Sequence, residues 1–233
     1  MKEEKNAVRP DSLTPSKYLA RLLNYLRKLI GGDRFENLLT SVANEIEKIE
    51  GLKGQKIIML DYGCGMMEFS KRLSDNKVIE QFVGADIFPS PNSQNNSHSE
   101  KWDKYVQIAK GSTENIVGNF DLAIVTDVLH HASPQDQENI LMGLSKISRY
   151  ILIKDHLEYG FFSRQLLRLA DWYGNYAYGV DIPERYFTKE SWQTLIREIG
   201  LKEIQLKNSI KVHGGIFGII IPPHYHFISI IEC

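Results

Sequence analysis

The feature of the sequence that most constrains the fold is a short apolar run that ends at an acidic residue and then turns through two glycines. The run spans residues 57–60 and is followed by Asp61, and the turn contains Gly63 and Gly65. Such a run is typical of a buried parallel strand, and the glycines allow positive φ angles and a close approach of backbone to ligand. Nucleotide-like cofactors bind at turns of this kind in doubly wound sheets.

A nicotinamide dinucleotide site is the first alternative for this turn. Its fingerprint has a third glycine three residues after the second, where this chain has Glu68. A carboxylate there is unfavourable beside a pyrophosphate but is tolerated beside a ligand that carries positive charge. A tight strand-to-helix turn without any ligand is the second alternative, because two glycines alone are a weak signal.

The next predicted strand, residues 81–86, also ends at an acid, Asp86. The separation from Asp61 is 86 − 61 = 25 residues, near the offset of about 20 residues at which a second-strand carboxylate meets ribose hydroxyls in doubly wound sheets. This spacing favours a ribose-binding role for Asp86 over that of a helix cap or a solvated turn residue.

The sequence resembles the class I S-adenosylmethionine-dependent methyltransferases from about residue 57 to the C-terminus. The resemblance rests on five segments in the family's order: 60–65, 84–87, 111–115, 120–131 and 186–192, the last followed by a helix that ends at Gly200-Leu201. It implies that S-adenosylmethionine is the cofactor. It also implies that Asp61, Gly63 and Gly65 bind the methionine end of the cofactor, Asp86 the ribose and Ile87 one face of adenine. Asp127 and Leu129 would close the other side of the cofactor. Ser112 and Thr113 would hold adenine, and the family often has at Ser112 an aspartate that binds the adenine amino group.

The predicted fold is Rossmann-like and doubly wound, with helices on both faces of a mostly parallel, seven-stranded α/β sheet. We expect a helical extension over residues 1–50 and the methyltransferase domain over residues 51–233. The expected strands are 57–61, 81–86, 104–109, 120–126, 149–155, 201–210 and 224–232, the last two an antiparallel edge pair in the family, and the expected helices between the strands are 66–75 and 134–147.

Two amphipathic helices are predicted before the first strand, over residues 15–30 and 33–49. The second has Asp33 as a plausible N-cap and Glu36 three residues later. These helices are expected to cover a sheet edge or the mouth of the cofactor site, with a membrane-surface or dimer role as the alternative.

An aromatic-rich insertion, residues 156–187, follows the fifth predicted strand and is called the lid segment below. It can form an apolar acceptor pocket, or it can be a helical cap with its own small core. In either case, Leu166, Leu167 and Ala170 are expected to face inward on a helix. The candidate substrate-binding residues are Trp172, Tyr176 and Tyr178 of the lid segment, together with Tyr18.

Three histidines are candidates for the base that removes a proton from a methyl acceptor: His130 and His131 after the fourth strand and His156 after the fifth. An imidazole near neutrality suits this step, although each ring could instead cap a helix or bond a backbone carbonyl. His224 and His226 are expected to share a face of the last strand. No ligand set of recognisable spacing accompanies them, so we predict a metal-independent enzyme.

The chain has 233 residues, a formal net charge of −1 and two cysteines. These values predict a single cytoplasmic enzyme without a disulfide framework and without a general affinity for nucleic acid. No signal peptide or transmembrane stretch is predicted, and the oligomeric state is open. The predicted activity is O-methylation of a small, partly apolar molecule. The alternatives are N- or C-methylation of a metabolite and a catalytically silent module that binds S-adenosylmethionine.

Overall fold

The computed structural model describes residues 34–89, 104–175 and 181–233, and the side chains of residues 173–175 lie outside this description. Its seven strands form one sheet in the order β3-β2-β1-β4-β5-β7-β6. The first five are parallel, and β7 runs antiparallel to both β5 and β6. The strands are β1 Ile58–Tyr62, β2 Gln81–Asp86, β3 Lys104–Gln107, β4 Phe120–Thr126, β5 Ser148–His156, β6 Lys202–Asn208 and β7 His226–Glu232.

Helices cover both faces of this sheet. They are α1 Arg34–Ile46, α2 Glu68–Asp75, α3 Pro134–Ser145, α4 Phe161–Asn175, α5 Lys189–Glu198 and α6 Gly215–Ile220. Apolar residues of α1 and α2 share one core with Met59, and those of α3 and α5 share the other core with Leu60. Successive residues of a strand point to opposite faces, so both faces of β1 are buried. The predicted Rossmann-like fold is therefore confirmed.

The ends of several elements differ from the sequence prediction. Helix α1 ends at Ile46 rather than at residue 49, and Asp33 and the predicted helix over residues 15–30 lie outside the described residues. The last strand begins at His226 because Pro223–Tyr225 forms a 3₁₀ turn. The expectation that His224 and His226 share a strand face is therefore wrong: His224 is exposed and His226 is buried.

The lid segment contains α4, which packs against a smaller core of its own. Leu167, Ala170 and Phe217 contribute to this core together with Tyr186 and Ile221. Leu166 is only partly buried. The helix α6 occupies a region that had been expected to turn at Gly214-Gly215. In the parts of the chain that the structure describes, no helix has the length and apolar character needed to cross a bilayer.

Candidate active site

A cavity of about 310 Å³ lies at the carboxyl end of β1. Its volume is at the lower end of the range usual for small-molecule sites. Residues of α1, of the glycine turn, of α2 and of the end of β4 line it: Arg34, Phe35, Leu38, Asp61, Gly63, Cys64, Phe69 and Thr126. Helix α1 thus forms one wall of the cavity, and the cofactor-mouth role of the N-terminal helices stays a prediction.

The backbone of the glycine turn has φ angles at which residues other than glycine would be strained. Gly63 has φ +80°, and a Cβ atom built there would lie 2.3 Å from Cγ2 of Val128. Gly65 also has a positive φ, +54°. The backbone N–H groups of Gly63 and Cys64 donate to the carbonyl oxygen of Ala85, at 2.7 and 3.2 Å, and so join the turn to the end of β2. The turn therefore requires glycine at position 63 for two separate reasons.

Asp61 is buried at the end of β1, and the hydroxyl of Ser70 on α2 donates to its Oδ2 atom. Burial raises the pKa of Asp61 to about 7, the Ser70 hydrogen bond opposes this effect, and the negative charge of Asp86 adds to it. A cationic ligand beside this carboxyl would favour its ionised form.

Asp86 is also buried, and it holds the glycine turn. Its Oδ2 accepts from the N–H of Gly65 at 2.7 Å, and its Oδ1 accepts from the N–H of Phe88 at 3.0 Å. The neighbouring Ile87 is 43% exposed and thus has free apolar surface. Each carboxylate oxygen can accept a further hydrogen bond, so the carboxylate of Asp86 retains capacity for a ligand hydroxyl.

Ser112 and Thr113 lie in the loop after β3. The hydroxyl of Ser112 accepts from the N–H of Glu114 at 3.2 Å. The backbone carbonyl oxygen of Ser112 accepts from the Tyr62 hydroxyl at 3.2 Å. The side chain of Thr113 fills the space above Gly143 on α3. Both side chains thus make local structural contacts.

Asp127 follows β4 with a left-handed backbone, φ +55°, which is unusual for a residue other than glycine. Its carboxylate pairs with Nζ of Lys154 and, at 3.1 Å, with Nη2 of Arg34. Burial opposes ionisation, but Lys154, His156 and Arg34 hold the pKa of Asp127 well below its usual range. The side chain of Leu129, two residues later, is fully buried in the core.

His130 is held in a buried network of charged groups. Its Nδ1 lies 2.6 Å from Oδ1 of Asp155, and its Nε2 lies 3.3 Å from Oδ2 of Asp171, an ion-pair distance whose geometry falls short of a hydrogen bond. The Tyr186 hydroxyl donates to Asp171 at 2.6 Å. Burial lowers the pKa of His130, but the carboxylates of Asp155 and Asp171 outweigh it and raise the pKa to about 10. His130 is therefore an imidazolium at neutral pH.

His131 differs from His130 in exposure and in protonation. It is half-buried, and its Nδ1 lies 3.0 Å from the carbonyl oxygen of Asp181. Because a carbonyl can only accept, Nδ1 carries the proton and Nε2 of the neutral ring carries a lone pair. Burial, together with the positive charge of His130, lowers the pKa of His131.

His156 belongs to a row of histidine rings that continues beyond the three candidate bases. Its ring centroid lies 4.9 Å from that of His130 and 4.8 Å from that of His226, which is in turn 5.2 Å from that of His213. Burial and the charge of Lys154 lower the pKa of His156. Within the described residues, Nδ1 of His156, Nδ1 of His213 and both ring nitrogens of His226 are buried without a hydrogen-bond partner.

The described residues contain two groups whose ligand-type atoms lie within 4.8 Å of one another. They are His130, His131 and Asp171, and His130, Asp155 and His156. No metal ligands were predicted at these positions, and metal independence stays a prediction. Of the predicted substrate residues, Trp172 is about half exposed on α4, whereas Tyr18, Tyr176 and Tyr178 lie outside the described residues.

Comparison with protein families identifies the family to which the chain belongs. A family model described as a methyltransferase domain matches residues 33–206, well over half of the chain. The chain belongs to the S-adenosylmethionine-dependent methyltransferase family. Its cofactor is S-adenosylmethionine, as the glycine turn predicted. No curated protein matches the sequence of this methyltransferase.

Solved structures share the fold of the methyltransferase at low identity. The protein in complex with the Haloferax volcanii Trm112 methyltransferase activator has TM-score 0.62 and 12% identity, covering 95% of this chain and 99% of that one. Magnesium protoporphyrin IX methyltransferase from Synechocystis PCC 6803 with bound SAH has TM-score 0.57 and 14% identity, with 94% and 95% coverage. The [4+2]-cyclase SpnF has TM-score 0.54 and 11% identity, with 82% and 79% coverage. These similarities show a common fold and nothing about the acceptor.

Several residues of the methyltransferase site escaped the sequence analysis. Arg34, Lys154, Asp155 and Asp171 each pair with a residue named from the sequence. One signal was present: Lys154, Asp155 and His156 are three consecutive polar residues at the end of a predicted buried strand. Such residues are costly to bury unless they are paired, so they mark a site.

Proposed function

We propose that this methyltransferase transfers the methyl group of S-adenosylmethionine to an oxygen atom of a small, partly apolar molecule in the cytoplasm. When bound, the cofactor supplies an electrophilic methyl group on a sulfonium. The observation that carries the proposal is the surroundings of the three candidate bases: His130 lies between two carboxylates, His156 is buried, and His131 is half-buried with Nδ1 on a carbonyl oxygen. His130 is therefore an imidazolium at neutral pH, whereas His131 is a neutral ring with a lone pair on Nε2.

His131 is therefore our proposed base. Its Nε2 would accept the proton of the acceptor hydroxyl as the oxygen takes the methyl group, and the C–S bond would break to leave neutral S-adenosylhomocysteine. Its Nδ1–H would stay bonded to the carbonyl oxygen of Asp181. His130, which is positively charged at neutral pH, bonded to Asp155 and at ion-pair distance from Asp171, acts as a positioning residue for the neighbouring ring. The centroids of the His130 and His131 rings are 4.0 Å apart.

The residues in and beside the cavity suit the charge of S-adenosylmethionine. The Asp61 carboxylate would hold the ammonium of the methionine moiety, and the turn through Gly63 and Gly65 would let the backbone approach it. Asp86 would bind the ribose hydroxyls, and the exposed side of Ile87 would pack on adenine. Ser112, Thr113, Asp127 and Leu129 contribute through backbone groups or by holding the walls, because their side chains are occupied elsewhere.

The acceptor is proposed to lie between the histidine row and the lid segment. The ring nitrogens of His213 and His226 that lack a hydrogen-bond partner offer hydrogen bonds to its polar part. The candidates for its apolar part are Trp172, Tyr18, Tyr176 and Tyr178. Buried nitrogens without partners favour a ligand that satisfies them.

The proposal is tested by methyl transfer from labelled S-adenosylmethionine to a panel of phenols, aliphatic alcohols and amines, followed by identification of the product. The variant His131→Gln is expected to lower kcat by about 10²–10⁴-fold, the usual contribution of a base. The control His224→Gln changes an exposed histidine outside the row and should leave kcat unchanged. Transfer to nitrogen or carbon would replace the oxygen proposal with the corresponding alternative.

A catalytically silent module that binds S-adenosylmethionine is the second candidate, because the fold is shared with the [4+2]-cyclase SpnF and so does not by itself require methyl transfer. Calorimetric titration with S-adenosylhomocysteine separates the two candidates. Tight binding together with no methylated product across the panel would favour the silent module.

A further inference from the structure

Three side chains beside the proposed base bring nitrogen and oxygen atoms close together. His130 and His131 belong to a short 3₁₀ turn after β4, and Asp171 lies on α4 of the lid segment. One ligand-type atom of each of the three lies within 4.8 Å of those of the other two. Two imidazoles and a carboxylate are a ligand set that divalent transition-metal ions such as Zn²⁺ bind in proteins.

The contact between His130 and Asp171 has the spacing of two ligands of one ion. Nε2 of His130 lies 3.3 Å from Oδ2 of Asp171. The contact lacks hydrogen-bond geometry, and among the described residues this buried nitrogen has no hydrogen-bond partner. Two ligands of a tetrahedral zinc ion, each about 2.0–2.2 Å from the metal, are separated by about 3.3–3.6 Å. The two atoms therefore need little movement to share an ion.

The two histidine rings are oriented by hydrogen bonds at their other nitrogen. Nδ1 of His130 lies 2.6 Å from Oδ1 of Asp155, and Nδ1 of His131 lies 3.0 Å from the carbonyl oxygen of Asp181. Histidines that bind a metal usually donate their second ring N–H to a carboxylate or to a backbone carbonyl in this way. The arrangement leaves Nε2 of both rings for an ion.

The carboxylate of the set is also held in place, and the site can be reached from solvent. The Tyr186 hydroxyl donates to Oδ2 of Asp171 at 2.6 Å, as expected for a carboxylate that binds a metal. The side chain of Asp171 is 10% exposed and His131 is half-buried, whereas His130 has no exposed side-chain surface. An ion can thus enter beside His131.

The charges around His130 suit a dication. The carboxylates of Asp155 and Asp171 lie on either side of its ring and hold the proton of the imidazolium. The same two negative charges attract a metal ion. On binding, the ion takes the place of the proton on Nε2 of His130, and that proton leaves to the solvent.

We propose that His130, His131 and Asp171 bind a divalent transition-metal ion of the zinc type, which inhibits the methyltransferase by occupying Nε2 of His131. The ion has no part in methyl transfer itself. Binding of the ion is independent of the proposed function, whereas inhibition rests on it, because inhibition requires His131 to be the base.

The experiment is calorimetric titration of the full-length protein with Zn²⁺ at constant pH, repeated with Co²⁺, whose visible absorption reports its ligands. His131→Gln removes one ligand and should weaken zinc binding by more than about 100-fold. Tyr186→Phe removes only the hydrogen bond to Asp171 and should weaken zinc binding by about 10–100-fold. Retained binding of S-adenosylhomocysteine shows that both variants are folded.

The matched controls change the same residue types outside the set. His224→Gln removes an exposed imidazole, and Tyr159→Phe removes a hydroxyl that donates to the carbonyl oxygen of His224. Both controls should bind zinc as tightly as the unaltered protein does. The site would be overturned if the unaltered protein bound no zinc, or if His131→Gln bound it with equal affinity, which would place the ion elsewhere.

Inhibition is measured on a product found with the acceptor panel. Zinc should lower kcat in proportion to the occupied fraction of the site, and a chelator should restore the activity. Zinc that bound at the site but left kcat unchanged or raised it would overturn both the inhibition and the role of His131 as the base. Because zinc binding is measured without methyl transfer, the failure of the site and the failure of the proposed chemistry are distinguishable.

Discussion

Nδ1 of His130 lies 2.6 Å from Oδ1 of Asp155, and neither side chain has exposed surface. The backbone N–H of His130 also lies 3.3 Å from Oδ2 of the same carboxylate. The pair joins the loop after β4 to β5, and through Asp171 it joins both to α4. It is thus one of the contacts that tie the lid segment to the sheet.

Replacing Asp155 by Asn should strongly destabilise the fold, because it leaves the charge of His130 without its closest partner. Breaking one side of a buried pair costs about 3–5 kcal/mol, and we expect a loss of this size in urea unfolding. The control Glu36→Gln breaks a solvent-exposed pair with Arg72 and should cost less than about 1 kcal/mol. Similar losses of unfolding free energy in the two variants would contradict a buried ion pair between His130 and Asp155.

The same pair predicts how stability depends on pH. The pKa of His130 is raised from 6.5 to about 10 in the folded state. Its contribution is therefore fully present below pH 6.5 and is lost as the pH rises to about 10. We expect the difference in Tm between the unaltered protein and His130→Gln to shrink over this interval, as measured by circular dichroism. A constant difference would show that His130 is neutral when folded.

Cofactor affinity should depend on pH through Asp61. The pKa of this carboxyl is about 7, and the ammonium of the ligand binds its ionised form. The affinity for S-adenosylhomocysteine should increase by up to about tenfold per pH unit as the pH rises towards 7, and then level off. Titration calorimetry should show weaker binding and a flatter profile for Asp61→Asn, but not for Asp75→Asn, which changes an exposed carboxylate at the end of α2.

Gly63→Ala should damage the cofactor site more than Gly54→Ala does. Both glycines have positive φ, +80° and +69°, but only at Gly63 would the new Cβ meet a neighbour, Val128. The backbone strain shared by both variants costs about 1–2 kcal/mol. Loss of affinity for S-adenosylhomocysteine should therefore be confined to Gly63→Ala. If both variants bound the ligand equally well, the close contact with Val128 would have no role in binding.

The rate of methyl transfer should fall in acid because His131 becomes protonated. Burial and the charge of His130 lower the pKa of His131 below 6.5, so kcat/KM should be constant near neutrality and decrease below the lowered pKa. This decrease of kcat/KM in acid should be absent from the residual activity of His131→Gln and present in His224→Gln. If kcat/KM of His131→Gln still decreased in acid, the proton transfer would belong to another group.

Much of the fold was predictable because it depends on local patterns. Apolar runs that end at Asp61 and Asp86 placed two adjacent parallel strands, and the glycines between strand and helix predicted the cofactor turn. The short helix α6 was not predicted, because Gly214-Gly215 and Pro222-Pro223 are turn signals that here flank one and a half turns of helix. His224 was misplaced for a related reason, since Pro223 starts a 3₁₀ turn where the apolar pattern suggested a strand.

The sequence by itself determined the fold class, the cofactor and the residues at the ends of the strands, because strand periodicity and glycine turns are properties of neighbouring residues. Only the tertiary structure decided which histidine is charged. His130 and Asp171 are 171 − 130 = 41 residues apart, and Arg34 and Asp127 are 93 residues apart. Protonation depends on burial and on the charges that the folded chain brings within a few ångströms, and no local pattern records either of them.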